Sequence, residues 1–93
     1  MAQISIDLSG GDIGGELDVG QDMREVSLKG ATIGVFHAEG KKLTVEFLEG
    51  ARFGELSADH TTEFYNEAGQ RLPSGSVSIN QDNDGYFFQR HSM

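Results

Sequence analysis

Apolar and polar side chains alternate with a period of two residues along much of this chain. Ile4, Ile6 and Leu8 alternate with polar neighbours near the N-terminus. Successive side chains of a β-strand point to opposite faces of a sheet, so this period is typical of strands with one buried face. Similar runs occur at residues 16–19, 25–29, 33–36, 43–47 and 76–80, and an aromatic run occupies residues 86–88. The pattern predicts a chain built mostly of short strands.

Turn-forming residues separate several of these runs. Segments rich in Gly, Asn, Asp and Ala lie at residues 38–41, 66–69 and 83–85. Short segments of this composition between alternating runs favour β-hairpins, which pair neighbouring strands in antiparallel fashion. Residues 10–15, which read Gly-Gly-Asp-Ile-Gly-Gly, are interpreted as a flexible loop.

These elements together predict an all-β, mainly antiparallel fold. The expected form is a small sandwich or partly closed barrel of six to eight short strands, with at most one short helix. The two stretches with some helical character, residues 19–26 and 51–59, are each interrupted by a glycine. No internal repeat of fixed period is recognised. A length of 93 residues fits one domain spanning residues 1–93.

Charge is distributed unevenly along the chain. The net charge is -8, and the first 22 residues contain acids but neither Lys nor Arg. Negative charge repels phosphate backbones, so direct nucleic-acid binding is not expected. An acidic surface favours a protein partner with a basic surface, and the alternative is that the acids only keep the protein soluble. The candidate partner-binding acids are Asp7, Asp12, Glu16, Asp18 and Asp22.

An oxygen-rich turn near the C-terminus resembles a cation-binding pattern. Asn80, Asp82 and Asp84 are spaced two apart and are followed by Gly85. Calcium requires several oxygen ligands brought together by a tight bend. His91 stands where an EF-hand loop would have its last ligand, and the flanking residues favour strands. A plain β-turn explains the same residues, and no other cofactor is indicated.

Catalysis is not indicated by any motif. The chain has no Cys, three His and no Gly-x-Ser-x-Gly sequence around a nucleophile. A domain of this size also offers little room for a catalytic cleft. Most of the aromatic side chains are needed for the core, whereas Tyr65 and Tyr86, which lie beside turns, are candidate anchors for a partner.

The functional expectation is therefore a small acidic protein-binding module without enzymatic activity. One specific form is an inhibitor, such as a phage-encoded anti-defence protein of the anti-CRISPR type, which occupies a basic surface of its target. The alternatives are a structural subunit of a homo-oligomer, as in a virion or similar assembly, and a Ca²⁺- or ligand-binding β module. Neither a signal peptide nor a membrane span is recognised, which favours a cytoplasmic location.

Overall fold

Strands account for most of the secondary structure in the computed structural model, which describes residues 3–91. One four-residue 3₁₀ helix, Val45–Leu48, follows the sixth strand. The strands of the described residues are β1 (Ile6–Asp7), β2 (Asp12–Glu16), β3 (Asp22–Met23), β4 (Val26–Ser27), β5 (Thr32–His37), β6 (Lys42–Thr44), β7 (Arg52–Ser57), β8 (Glu63–Tyr65), β9 (Val77–Asp82) and β10 (Gly85–Arg90).

Parallel strands stack in the order in which the chain reaches them. Ile6 of β1 lies opposite Val26 of β4, and Thr32 of β5 lies opposite Arg52 of β7, so the partners differ by 20 in residue number. β2 pairs with β5, β3 with β6 and β6 with β8, all of them in parallel. The chain therefore coils as a short β-solenoid, in which each turn of about 20 residues pairs with the turn before it.

Glycines mark the corners of this coil at intervals of ten residues. Each of them has a φ between 67° and 118°, in a region that only glycine adopts without strain. The third residue after each corner glycine is apolar, and it is buried or packed against the core. The corner glycines are Gly10, Gly20, Gly30, Gly40 and Gly50. The apolar residues that follow them are Ile13, Met23, Ile33, Leu43 and Phe53. The interpretation that the chain has no fixed repeat was therefore wrong.

The all-β class is confirmed, but the arrangement of the strands differs from the prediction. The sheets are mixed rather than mainly antiparallel, because five of the seven pairings between the described strands are parallel. A solenoid takes the place of the expected sandwich or barrel. Residues 3–91 form ten strands, three of them only two residues long, instead of the expected six to eight. The described residues contain one short helix, which lies where the alternating pattern favoured a strand. The two stretches with some helical character form strands instead, β3 within residues 19–26 and β7 within residues 51–59.

The predicted turns have different outcomes. Residues 38–41 form a corner between β5 and β6, which lie in different sheets, so they do not close a hairpin. Asn83 and Asp84 do close one, since Asp82 and Gly85 pair at the ends of β9 and β10. Residues 66–69 close a small antiparallel loop between Tyr65 and Arg71. The expected loop at residues 10–15 is mostly strand β2.

A β-hairpin covers the end of the solenoid formed by its last turn. The largest sheet has the order β2-β5-β7-β10-β9, so the β9–β10 hairpin pairs with the last turn of the coil. Phe88 of this hairpin packs edge-on against Phe53 and Phe64, with ring centroids 5.9 and 5.3 Å apart. The hairpin thus closes one end of the core.

No helix in residues 3–91 is long and apolar enough to span a membrane.

Candidate interaction surface

The first turn of the solenoid leaves strand edges without partners. Among the residues that the structure describes, β2 pairs only with β5, and β1 pairs only with β4. The other edge of each strand therefore presents backbone donors and acceptors to solvent, a feature that allows another strand to pair there. We call this surface, formed by β1, β2 and the residues that flank them (3–20), the open end.

Exposed apolar side chains are concentrated at the open end. Ile4, Ile6 and Val19 are 47%, 39% and 37% exposed, and they are the most exposed large hydrophobic residues among residues 3–91. Leu17 nearby is buried, and Ile13 is partly buried against the core. Each inner turn of a solenoid is covered by its neighbours, whereas a terminal turn without a cap leaves apolar surface uncovered.

Asp18, one of the five candidate acids, is neutralised within the fold. Its Oδ1 accepts a hydrogen bond from Lys41 Nζ at 2.9 Å, and this contact lowers the pKa of Asp18. Lys41 also donates to the Gly20 carbonyl at 2.8 Å, and its side chain is only 11% exposed. The mostly buried Lys41 ammonium thus gains two oxygen partners, and the Asp18–Lys41 pair stabilises the corner at Gly20.

Asp22 is also paired. Arg24 donates from Nε and Nη2 to the two carboxylate oxygens at 2.9 and 2.8 Å. These bonds lower the pKa of Asp22 to about 2. A bidentate guanidinium–carboxylate pair is among the stronger hydrogen-bonded ion pairs, and it engages both carboxylate oxygens. Asp22 is therefore less suited to binding a cation on a partner than its sequence position suggested.

The remaining three candidate acids stay unpaired at the open end. Asp7, Asp12 and Glu16 are exposed and form no ion pair with the described residues. Asp7 accepts a hydrogen bond from the Ser9 N–H at 3.0 Å, and hydrogen bonding with Ser9 lowers its pKa. The open end thus combines unpaired strand edges, apolar side chains and carboxylates that have no internal cation.

The two candidate tyrosines lie elsewhere. Tyr65 is on β8, its hydroxyl donates to Glu63 Oε1 at 2.7 Å, and the Arg24 guanidinium lies 5.2 Å from its ring centroid. Tyr86 is on β10, in register with Phe53. Neither belongs to β1 or β2, so the structure does not bring the tyrosines together with the three unpaired acids.

A histidine–carboxylate pair that the sequence patterns did not predict lies close to the open end. His37 Nε2 is 2.8 Å from Glu55 Oε2, on the adjacent strands β5 and β7. The hydrogen bond with Glu55 raises the pKa of His37, and the charge of Glu16 on β2 acts in the same direction. These residues are far apart in sequence and meet only because the strands are stacked in parallel, which local patterns do not reveal.

Replacing Glu55 with alanine is expected to return the pKa of His37 towards its ordinary value of 6.5. A raised pKa in the folded state means that the pair stabilises the fold fully below the ordinary pKa and loses this effect as pH rises through the raised one. An NMR titration of the His37 ring protons measures the shift. Glu67→Ala, far from this pair, is the control. An unchanged His37 titration in Glu55→Ala would show that the pair does not form in solution.

The oxygen-rich segment near the C-terminus serves the β9–β10 hairpin. Asp82 accepts the Asp84 N–H on Oδ1 at 2.9 Å, and Arg52 donates to its Oδ2 at 3.0 Å. Asn80 donates to Gln89 across the two strands. Residues 3–91 contain no group of three or more His, Asp or Glu side chains able to hold a metal ion. Asp82 would have to release Arg52 before it could bind a cation through both carboxylate oxygens.

A groove of about 350 Å³ lies beside this hairpin and has a serine–histidine pair at its edge. Phe64 and Phe88 line part of it, and Ser78 lies at its edge with its Oγ 2.7 Å from His91 Nε2. His91 is exposed, and no side-chain hydrogen bond of the described residues joins it to a carboxylate. Among residues 3–91, no hydrogen-bonded carboxylate therefore orients His91 as a catalytic base against Ser78.

Comparison with known proteins adds no relative to this description. No family model, curated protein or solved structure matches the chain.

Proposed function

We propose that this protein is a non-enzymatic binding module that binds a basic protein partner at its open end. One observation carries the proposal: the unpaired edge of β2 bears two unpaired carboxylates, Asp12 and Glu16, and Asp7 on β1 adds a third. No Lys or Arg occurs in residues 1–22 to balance them. Complementary charge speeds association and selects among partners, and the exposed apolar side chains add surface to be buried.

The same charges argue against self-association as the main role. Two copies meeting edge to edge would bring their unpaired carboxylates together, and like charges in an interface are unfavourable. Head-to-tail stacking would place β9 of one copy against β2 of the next. Residues 77–82 contain no Lys or Arg to offset the acids. A partner that carries its own positive charge satisfies the surface better than a second copy does.

An inhibitor is the most specific form of this proposal. A protein groove that normally holds nucleic acid is basic, because it must neutralise phosphates. A small acidic module can occupy such a groove in place of the nucleic acid, as an anti-CRISPR-type protein would. In that case the bound module and the nucleic acid compete, and a filter-binding assay with the purified target measures the competition.

Neutralising the three unpaired acids is expected to weaken partner binding about tenfold. The variant is Asp7→Asn, Asp12→Asn and Glu16→Gln. Exposed charge pairs contribute roughly 0.2–1 kcal/mol each, and about 1.4 kcal/mol corresponds to a factor of ten. The partner is captured from a lysate by the wild-type protein, identified and purified, and its Kd is measured by calorimetry at low and high salt.

A matched control separates position from net charge. Glu49→Gln, Glu67→Gln and Asp84→Asn together also remove three negative charges, from exposed residues outside the open end. This control is expected to bind nearly as tightly as the wild type. Equal losses in the two variants, or a Kd that does not depend on salt, would contradict the proposal.

A further inference from the structure

The hydrogen bonds of the stacked strands repeat from turn to turn. The Thr32 N–H donates to the Gly11 carbonyl at 2.8 Å, and the Arg52 N–H donates to the Ala31 carbonyl at 2.9 Å. Asp12, Thr32 and Arg52 occupy the same register position on β2, β5 and β7. The N–H at this position points back to the preceding turn in both inner strands. The N–H of Asp12 therefore points to the unpaired edge, where a further strand would supply the acceptor.

Glycines 20 residues apart also occupy equivalent positions on the stacked strands β2, β5 and β7. A Cβ on Gly34 would lie 2.3 Å from the Gly14 carbonyl oxygen, and one on Gly54 would lie 2.8 Å from the Gly34 carbonyl oxygen. Glycine at these positions lets the backbone of the preceding strand approach closely. Gly14 is the corresponding residue of β2, yet apart from its two chain neighbours no described residue lies within 4 Å of a Cβ placed there. Its φ is not positive, so neither a turn nor a close contact within the chain requires glycine.

We propose that the basic partner binds by adding an extended segment as an additional strand on the free edge of β2. This inference rests on the proposed function and specifies how the partner is held. A backbone carbonyl of the segment accepts the Asp12 N–H, and its backbone lies close to Gly14 as that of β2 lies close to Gly34. Lys or Arg side chains at alternate positions face the carboxylates of Asp12 and Glu16. Main-chain bonds then supply affinity and the charges supply selectivity.

The irregular register of β2 limits the length of this pairing. β2 has one more residue than β5 between Ile13 and Glu16, which is a β-bulge. Bulges interrupt ladder bonding on an edge strand, so the added strand pairs regularly only on either side of Gly14 and Gly15. The contacts with the Asp12 backbone and with the flanking carboxylates are thus expected to account for much of the binding.

Asp12→Pro compared with Asp12→Asn separates backbone pairing from charge. Both variants remove the carboxylate, but only proline removes the N–H. The N–H faces solvent in the unbound protein, and proline is tolerated at such an edge position. The probe is a capped peptide of alternating Lys and Val, about ten residues long, the upper end of strand lengths in proteins. One lost hydrogen bond is expected to weaken binding of this peptide to Asp12→Pro about two- to tenfold relative to Asp12→Asn.

A second measurement does not depend on the proline variant folding. Binding of the Lys–Val peptide to the wild-type protein is expected to slow hydrogen exchange of the Asp12 amide, followed by NMR. A control peptide with the same lysines, but proline in place of two valines, is expected to bind more weakly and leave this exchange unchanged. Equal binding of the two peptides with no protection of the Asp12 amide would overturn strand addition while leaving a basic partner in place. Equal binding of a Glu–Val peptide would instead overturn the proposed function.

Discussion

Replacing Phe53 with alanine is expected to lower the free energy of unfolding by about 3–5 kcal/mol. Phe53 is fully buried, stacks on Phe36 with ring centroids 5.4 Å apart, and meets the edge of Phe88. It therefore links the coil to the hairpin that closes its end. Small domains unfold with free energies of about 5–15 kcal/mol, so this variant would lose a large part of its stability.

Urea unfolding followed by circular dichroism measures this loss. Phe87→Ala is the matched control, because Phe87 lies on the opposite face of β10 and is only partly buried. Its ring centroid lies 4.3 Å from the Arg52 guanidinium carbon, a contact worth about 0.5–1 kcal/mol at an exposed site. Similar losses in the two variants would contradict the packing of the hairpin against the core.

Replacing Gly34 with alanine is expected to lower the free energy of unfolding by about 3 kcal/mol, the upper end of the range for overpacking. The added Cβ would meet the Gly14 carbonyl oxygen and carbon within 3.0 Å. Both are backbone atoms of a paired strand, so they cannot move aside as the end of a flexible side chain can. β2 would have to separate from β5, which exposes the core beneath Ile13 and Ile33.

Gly14→Ala is the control for this variant, because its Cβ would meet nothing within 4 Å. Its stability is expected to be close to that of the wild type, as measured by the same unfolding experiment. If Gly34→Ala were as stable as Gly14→Ala, the parallel register of β2 and β5 would be wrong. Gly14→Ala is also expected to weaken binding of the Lys–Val peptide, because the added strand approaches at that position.

Local patterns in the sequence predicted six of the ten described strands and predicted their pairing poorly. The alternating and aromatic runs located β1, β4, β5, β6, β9 and β10, whereas β2 was expected to be a loop and β7 lies in a stretch credited with helical character. The Asn-Asp-Gly segment at residues 83–85 correctly predicted the hairpin of β9 and β10. The segment around Gly40 has a similar composition but turns a corner of the coil. Both kinds of turn use glycine for its positive φ, so a turn alone does not reveal whether the next strand pairs with the last. The spacing of ten residues between glycines was the signal that could have distinguished them.

The open end was only partly predictable. The excess of acids in residues 1–22 is visible in the sequence, and the Asp22–Arg24 pair is close enough along the chain to be anticipated. The Asp18–Lys41 pair is not, because its partners are 23 residues apart. The two tyrosines illustrate the same limit, since proximity to a turn did not place them near the acids.

The sequence by itself determined the all-β class, the acidic first 22 residues and the absence of thiol chemistry, because these follow from composition and from the two-residue period. Only the tertiary structure decided that the strands stack in parallel, that a hairpin closes one end of the coil and that β2 keeps an unpaired edge. Strand pairing depends on contacts between residues about 20 positions apart, and short-range propensities do not report such contacts. Which carboxylates stay unpaired depends on the same contacts, since Lys41 reaches Asp18 only once the turns have stacked.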